Sequence, residues 1–164
     1  MKFPAGLELN PATQEEIDHV EANYRPGERR EQEVENAGRT LLDEFEQCWT
    51  VRAGGEIIGY FGVLVIPDES VMSRSRGFCF MSCEAANRHK LAFVKDSRPV
   101  YRWVVEQCPP WTDVYVSWPL ASYVASVKWQ KRVLGMREVA RQPVHDGEEY
   151  VIFELTREEV QSWR

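Results

Sequence analysis

Residues 120–139 read LASYVASVKWQKRVLGMREV, a stretch with a helical body, a glycine at its end and an apolar, strand-like exit. Gly135 is the natural C-cap of a helix that follows Pro119, and Met136 to about Arg141 then reads as a strand. On the other side, Asp113 to Trp118 alternates, with Val114 and Val116 set against Tyr115 and Ser117. Downstream, His145-Asp146-Gly147 is a turn leading to a second strand, Glu149 to Leu155. Strand, helix, strand, strand is therefore the expected order of the last third of the chain, with a short terminal helix over 156–164.

Working back toward the N-terminus, Cys108-Pro109-Pro110 closes a helical stretch from Ala85 to Gln107, with Val100, Trp103 and Val104 on one face. Pro99 either kinks that helix or stands in the first turn of a fresh one capped by Ser97; the second is favoured. Before it lie a strand over Phe78 to Met81 and a polar loop over Pro67 to Gly77. Gly54-Gly55 is a two-residue hairpin turn between a strand from Trp49 to Arg52 and a long one from Ile57 to Ile66. Both alternation sets of the long strand are apolar or small, so it belongs at the covered centre of a sheet. A helix from about Glu28 to Gln47 is expected from the stripe Val34, Ala37, Leu41 and Phe45, with Glu28-Arg29-Arg30-Glu31 as a solvated face. Ile17, Val20 and Tyr24 define an earlier helix, started either by Asn10-Pro11 or by a Thr13–Glu16 capping box and broken at Arg25-Pro26-Gly27. Leu7 to Leu9 is the first strand. Helices interleaved with a mixed, mostly antiparallel sheet make a three-layer α/β fold, expected as one domain over 1–164.

Composition bounds the function. The chain has 164 residues, 43% of them hydrophobic, and carries a net charge of −6, which disfavours a nucleic-acid partner held through phosphates. No apolar run approaches the about 18 residues of a membrane span, and the N-terminal segment carries no signal-peptide core. Cys48, Cys79, Cys83 and Cys108 match no zinc or disulfide spacing, and His19, His89 and His145 lie far apart, so buried free thiols and no metal are expected. Free thiols point to a reducing, cytoplasmic setting.

The element order, with Leu134-Gly135 ending its helix, resembles the GNAT acetyltransferase superfamily. Two segments resemble a GNAT-like group encoded by short-tailed bacteriophages, which includes an internal virion protein. EANYRPGERREQEV (Glu21 to Val34) is similar to its Arg-x-x-Asp/Glu-Arg segment, and Gly54 to Val63 to its Gly-x-Pro-Ile-Ala-Ile-Phe-Gly strand. Tyr101 to Val104 and Cys108-Pro109-Pro110-Trp111 stand where that group has an aromatic helix and a Tyr-Pro turn.

The resemblance implies acetyl-CoA as cofactor, with its pantetheine in a splay between the strands at Phe78 to Met81 and Val114 to Trp118. It implies a diphosphate on a Gln/Arg-x-x-Gly-x-Gly/Ala loop that opens the long helix, where backbone N–H groups bind anions. No glycine occurs between Gly77 and Gly135, so the matching segment, Ala85 to Ala92, departs from that loop. Arg88, His89 and Lys90 then stand as side-chain phosphate ligands, with Asn87 as a helix cap; the alternative is a solvated basic helix start. Lys131 falls where the family places its tyrosine acid and Val124 near its usual asparagine. Tyr123 is the remaining candidate acid, though packing is the simpler role for it. Ser126, Lys128 and Trp129 resemble the phage group's Ser-x-x-Trp, with one extra residue before Leu134-Gly135. Ser126 is thereby a candidate cofactor contact. Glu84 is the candidate general base, ahead of Asp113, while His145 is expected to face solvent.

Two functions remain open. The first is a virion-associated phage protein with a degenerate acetyl-CoA site, working in the host cytoplasm or packaged in the virion, with phage or host proteins as partners. Trp103, Trp111, Trp118 and Trp129 would supply its contact surface unless core packing claims them. The second is an active N-acetyltransferase acting on a small-molecule or protein amine.

Overall fold

In the computed structural model, residues 1–35, 38–66 and 74–163 are described. The elements are β1 (Leu7–Pro11), α1 (Gln14–Ala22), α2 (Pro26–Glu35), β2 (Gln47–Ala53), β3 (Glu56–Leu64), β4 (Ser75–Ser82), α3 (Lys90–Gln107), β5 (Val114–Ser117), α4 (Val124–Trp129), β6 (Arg137–Pro143), β7 (Glu149–Thr156) and α5 (Arg157–Ser162). They form a mixed α/β fold whose seven-stranded sheet, flanked by helices, runs β1-β2-β3-β4-β5-β7-β6. β4 and β5 pair in parallel, from Ser75 opposite Val114 to Gly77 opposite Val116. The pairs β1–β2, β2–β3, β5–β7 and β6–β7 are antiparallel. The expected fold class and element order are therefore found.

Two compact units make up the chain: Met1–Leu64 with Cys79–Asp96, and Val65–Phe78 with Ser97–Arg164. In the first, Thr13 caps α1 through a reciprocal capping box with Glu16, the second of the two starts the sequence offers. Ile17 and Val20 of α1 and Tyr24 just beyond it pack against Tyr60, Met81 and Cys83 in a buried cluster. Gly54 and Gly55 turn the β2–β3 hairpin with φ of 57° and 85°, the left-handed pair that a two-residue turn needs. β3 is buried without a break from Ile58 to Val63, as its double apolar pattern requires. Asp96 is buried too, and its carboxylate accepts N–H bonds from Ala5 (2.9 and 3.1 Å) and Leu7 (2.9 Å), which fastens the start of β1 to α3.

The second unit is tied by aromatics. Phe78 lies 4.6 Å from Tyr115 and 5.3 Å from Tyr101, which meets Trp129 edge-on at 5.8 Å. Gly135, at φ 72°, ends the α4 segment in the expected left-handed C-cap. A π turn over Gln130–Leu134, the conformation that inserts one residue into an α-helix, leads into this cap.

Three expectations change. The helix expected over 28–47 is described as far as Glu35 and has ended by residue 38, because its stripe is not continuous: residues 38–41 are irregular and Leu41 is exposed. Ala37 lies outside the described residues. Ser97 caps nothing, since α3 runs unbroken through Pro99 and the buried Ser97 hydroxyl accepts the Trp129 indole N–H at 2.9 Å. Ser75 to Gly77 belong to β4, while 67–73 of the expected loop lie outside the described residues. Among the four tryptophans considered for contacts, only Trp111 is exposed.

Candidate functional site

The first unit brings the basic segment together with residues from distant parts of the chain. Cys83 directly follows β4, and its N–H donates to Ile58 O at 3.1 Å. Residues Glu84–His89 then wind into a 3-10 helix that runs straight into α3, Lys90 already having helical φ and ψ. Glu84 N–H donates to Asn23 O at 3.0 Å and Ala86 N–H to Cys83 O at 3.0 Å. Within a 3-10 helix each later N–H bonds the carbonyl three residues back, so the donors that open α3 are already used. No residue from Cys83 to Ala92 has a positive φ, so the backbone forms no glycine-type phosphate cradle here.

The basic side chains have their own anion. Glu56, the first residue of β3, accepts from Arg88 Nε at 3.3 Å, from Arg88 Nη2 at 2.7 Å and from His89 Nε2 at 2.9 Å. Arg88 first, then His89, holds the Glu56 carboxyl down to about 2. Thus Arg88 and His89 converge as the sequence suggests, but on a partner 32 and 33 residues away that it did not single out. Asn87 lies inside the 3-10 helix, whose N-cap is Cys83, so it does not cap α3 as expected. Lys90 and Asn87 are both exposed.

Beside this pair lies a cleft of about 520 Å³, walled by His19, Arg52, Glu56, Cys83, Glu84 and Arg88 among others. Glu84 stands exposed at its edge. The Cys83 thiol is buried, donates to Ile57 O at 3.3 Å and is pushed up by burial, so it is a wall rather than a nucleophile. Burial likewise pushes the Cys48 thiol up to about 12.

Glu28, assigned by sequence to a solvated face, is instead buried. Its carboxylate accepts from Arg25 Nη2 at 2.8 Å and from the Ser82 hydroxyl, clamping the α1–α2 corner onto the end of β4. The Arg-x-x-Glu spacing was the visible signal, because residues three apart meet on a helical turn.

In the second unit Ser126 joins a polar chain that sequence reasoning missed. The Ser117 hydroxyl on β5 donates to Gln130 Oε1, and Gln130 Nε2 donates to Ser126 Oγ at 3.5 Å. Gln130 sits in the lysine- and arginine-rich run Lys128 to Arg132, which reads as surface; the π turn buries it. Tyr123 is half-buried at the residue before α4. Lys131 pairs with Glu138 at 3.0 Å on the surface. Asp113 pairs with Arg74, and His145 faces solvent. Among the described residues no cluster of three or more His, Cys, Asp or Glu suits a metal ion, and no helix is long and apolar enough to cross a membrane.

The Arg88 guanidinium, Lys90 ammonium and Asn87 amide are all exposed, whereas the backbone of this segment offers no anion cradle.

No protein-family model and no curated protein sequence matches the chain. Solved structures do. Spermidine N-acetyltransferase from Vibrio cholerae, in complex with CoA and spermine, superposes with a TM-score of 0.70 at 9% identity, covering 97% of this chain and 100% of that one. Aminoglycoside acetyltransferase AAC(6′)-Ib with coenzyme A gives 0.68 at 18% identity over 94% and 97%. An N-acetyltransferase from Staphylococcus aureus Mu50 gives 0.67 at 15% over 92% and 98%. At such identities the likeness establishes the fold. The chain has the fold of the GNAT N-acetyltransferases over 92–97% of its length.

Proposed function

We propose that the protein is an acetyl-CoA-dependent N-acetyltransferase acting on an amine, with the cofactor's diphosphate held by side chains. The observation that carries this is the whole-chain likeness to N-acetyltransferases solved with CoA. Spermine and paromomycin, bound by two of the neighbours, are both polyamines, and a chain with net charge −6 attracts such cations. Arg88 and Lys90, with His89 and Asn87 beside them, are the proposed diphosphate ligands. Bound acetyl-CoA supplies the acetyl thioester. Glu84, exposed at the edge of the cleft in the same unit, is the proposed base for the acceptor ammonium.

Thiol release from acetyl-CoA in the presence of spermine tests this, comparing wild type with Glu84→Gln. Spermine-dependent release by the wild type is expected, with kcat/KM lowered about 100-fold in the variant. No amine-dependent release by folded wild-type protein, across spermine and paromomycin, contradicts the assignment.

A second reading, a phage virion-associated protein with a degenerate cofactor site, draws support from the closed backbone at Glu84–His89 and from Lys131 in an ion pair. The segments at Glu21 to Val34 and Gly54 to Val63 carry its phage resemblance, and its partners are phage or host proteins in the host cytoplasm. Under it, the folded chain binds no acetyl-CoA at millimolar ligand.

A further inference from the structure

The cleft of the first unit has an unmatched charge of one sign only. Its two guanidiniums are neutralised within the chain, Arg52 by Glu16 and Arg88 by Glu56, both at 2.7 Å. Glu84 also walls the cleft, and among the described residues nothing donates to its carboxylate. Two neutral acceptors stand beside it. Asn23, the C-cap of α1, takes the Glu84 N–H on its backbone oxygen at 3.0 Å. The Asn23 Nδ2 donates to His19 O at 2.8 Å, one helical turn back, which leaves Oδ1 as the open end of the amide. The His19 imidazole is exposed and, like Asn23 Oδ1, has no hydrogen-bond partner among the described residues. His19, Asn23 and Glu84 therefore meet at one corner of the cleft, whose wall continues with Ile57 and Ala85.

We propose that this corner is a receptor for a primary ammonium on an alkyl stem, with His19 and Asn23 as the residues that orient it. The proposal rests on the reading of Glu84 as the base for the acceptor. A primary ammonium carries three N–H donors and no acceptor, and the corner offers it a carboxylate, an amide oxygen and an imidazole nitrogen. Glu84 supplies the opposite charge, and the two neutral groups supply direction. N-methylation removes one donor and sets a methyl group against an acceptor, so a secondary amine forfeits a charge-assisted bond. The stem lies along Ile57 and Ala85, the apolar part of the wall. His19 and Asn23 thereby select the class of amine while Glu84 meets its charge.

The test is NMR titration of n-butylammonium and of its N-methyl homologue into the full chain, with and without coenzyme A. Wild type, His19→Ala, His19→Gln and Asn23→Ala are compared, with thermal melting to verify the fold. Butylammonium should saturate, shifting the Asn23 side-chain amide, the His19 ring protons and the Ile57 methyl groups together, and bind about tenfold tighter than the N-methyl homologue. His19→Ala and Asn23→Ala should each weaken it about tenfold, and His19→Gln, which keeps an acceptor, should restore most of the loss. Butylammonium that leaves these signals unmoved, or binds both folded alanine variants as tightly as wild type, overturns the proposal. Spermine-dependent thiol release from acetyl-CoA separates this from the functional reading. Release with KM unchanged in both alanine variants keeps the transferase and removes the receptor. Saturable butylammonium binding at these signals, by a chain that releases no thiol, keeps the receptor and removes the transferase.

Discussion

At the scale of single residues, the site is decided by which charges are already paired. Arg88 and His89 were legible as a basic pair, but Glu56 was not, because only the β2–β3 hairpin brings residues 32 and 33 positions apart into contact. The Glu56 carboxyl sits at about 2, below the ordinary 4.5. Its folded-state pKa is depressed, so the ion pairs are complete above about 4.5 and are lost as pH falls toward 2. An NMR titration of the Glu56 side-chain carboxyl should place its midpoint near 2 in wild type and closer to the ordinary 4.5 in Arg88→Ala. An unchanged midpoint in the variant contradicts the assignment of Arg88 as the main cause. Glu28 illustrates the opposite error. Its Glu-Arg-Arg-Glu context reads as solvated, yet Arg25 and the Ser82 hydroxyl satisfy it in the interior. Removing one partner of a buried pair leaves the other uncompensated, so Glu28→Ala should destabilise by about 3 kcal/mol in urea denaturation. A loss below about 1 kcal/mol returns Glu28 to the surface.

At the scale of elements, the hairpin, the covered β3 strand and the Gly135 cap were all readable, because each rests on local stereochemistry or two-fold alternation. What could not be read was the π turn over Gln130–Leu134. It swings Gln130 inward to Ser117, a conformational choice that packing makes and propensity does not. Likewise the pairing of Ser97 with Pro99 misled as the start of a new helix, because the serine hydroxyl is used by Trp129 instead. Ser97→Ala leaves that indole N–H without its acceptor in a half-buried place and should cost about 1 kcal/mol, measured by denaturation. β3 and β4 approach so closely that a Cβ on Gly59 would overlap Met81 O and the Phe80 ring. Gly59→Ala should therefore cost about 1–3 kcal/mol, with the hairpin amides exchanging faster. An alanine variant as stable as wild type contradicts that packing.

At the scale of the molecule, the order of strands and helices carried the fold through sequence identities of only 9% and 18% to its structural neighbours. Fold survives such divergence because it depends on pattern, whereas a cofactor site depends on particular atoms. That is why the seven-stranded sheet was legible and the backbone of Glu84–His89 only half so: the missing glycines were visible, but the 3-10 helix that takes their place was not. The proposed function requires acetyl-CoA to bind here by side chains alone, and calorimetric titration of acetyl-CoA into the folded chain checks that. A micromolar dissociation constant, weakened at least about tenfold when Arg88 and Lys90 are both replaced by alanine, is the expected result. No heat of binding at millimolar acetyl-CoA contradicts it.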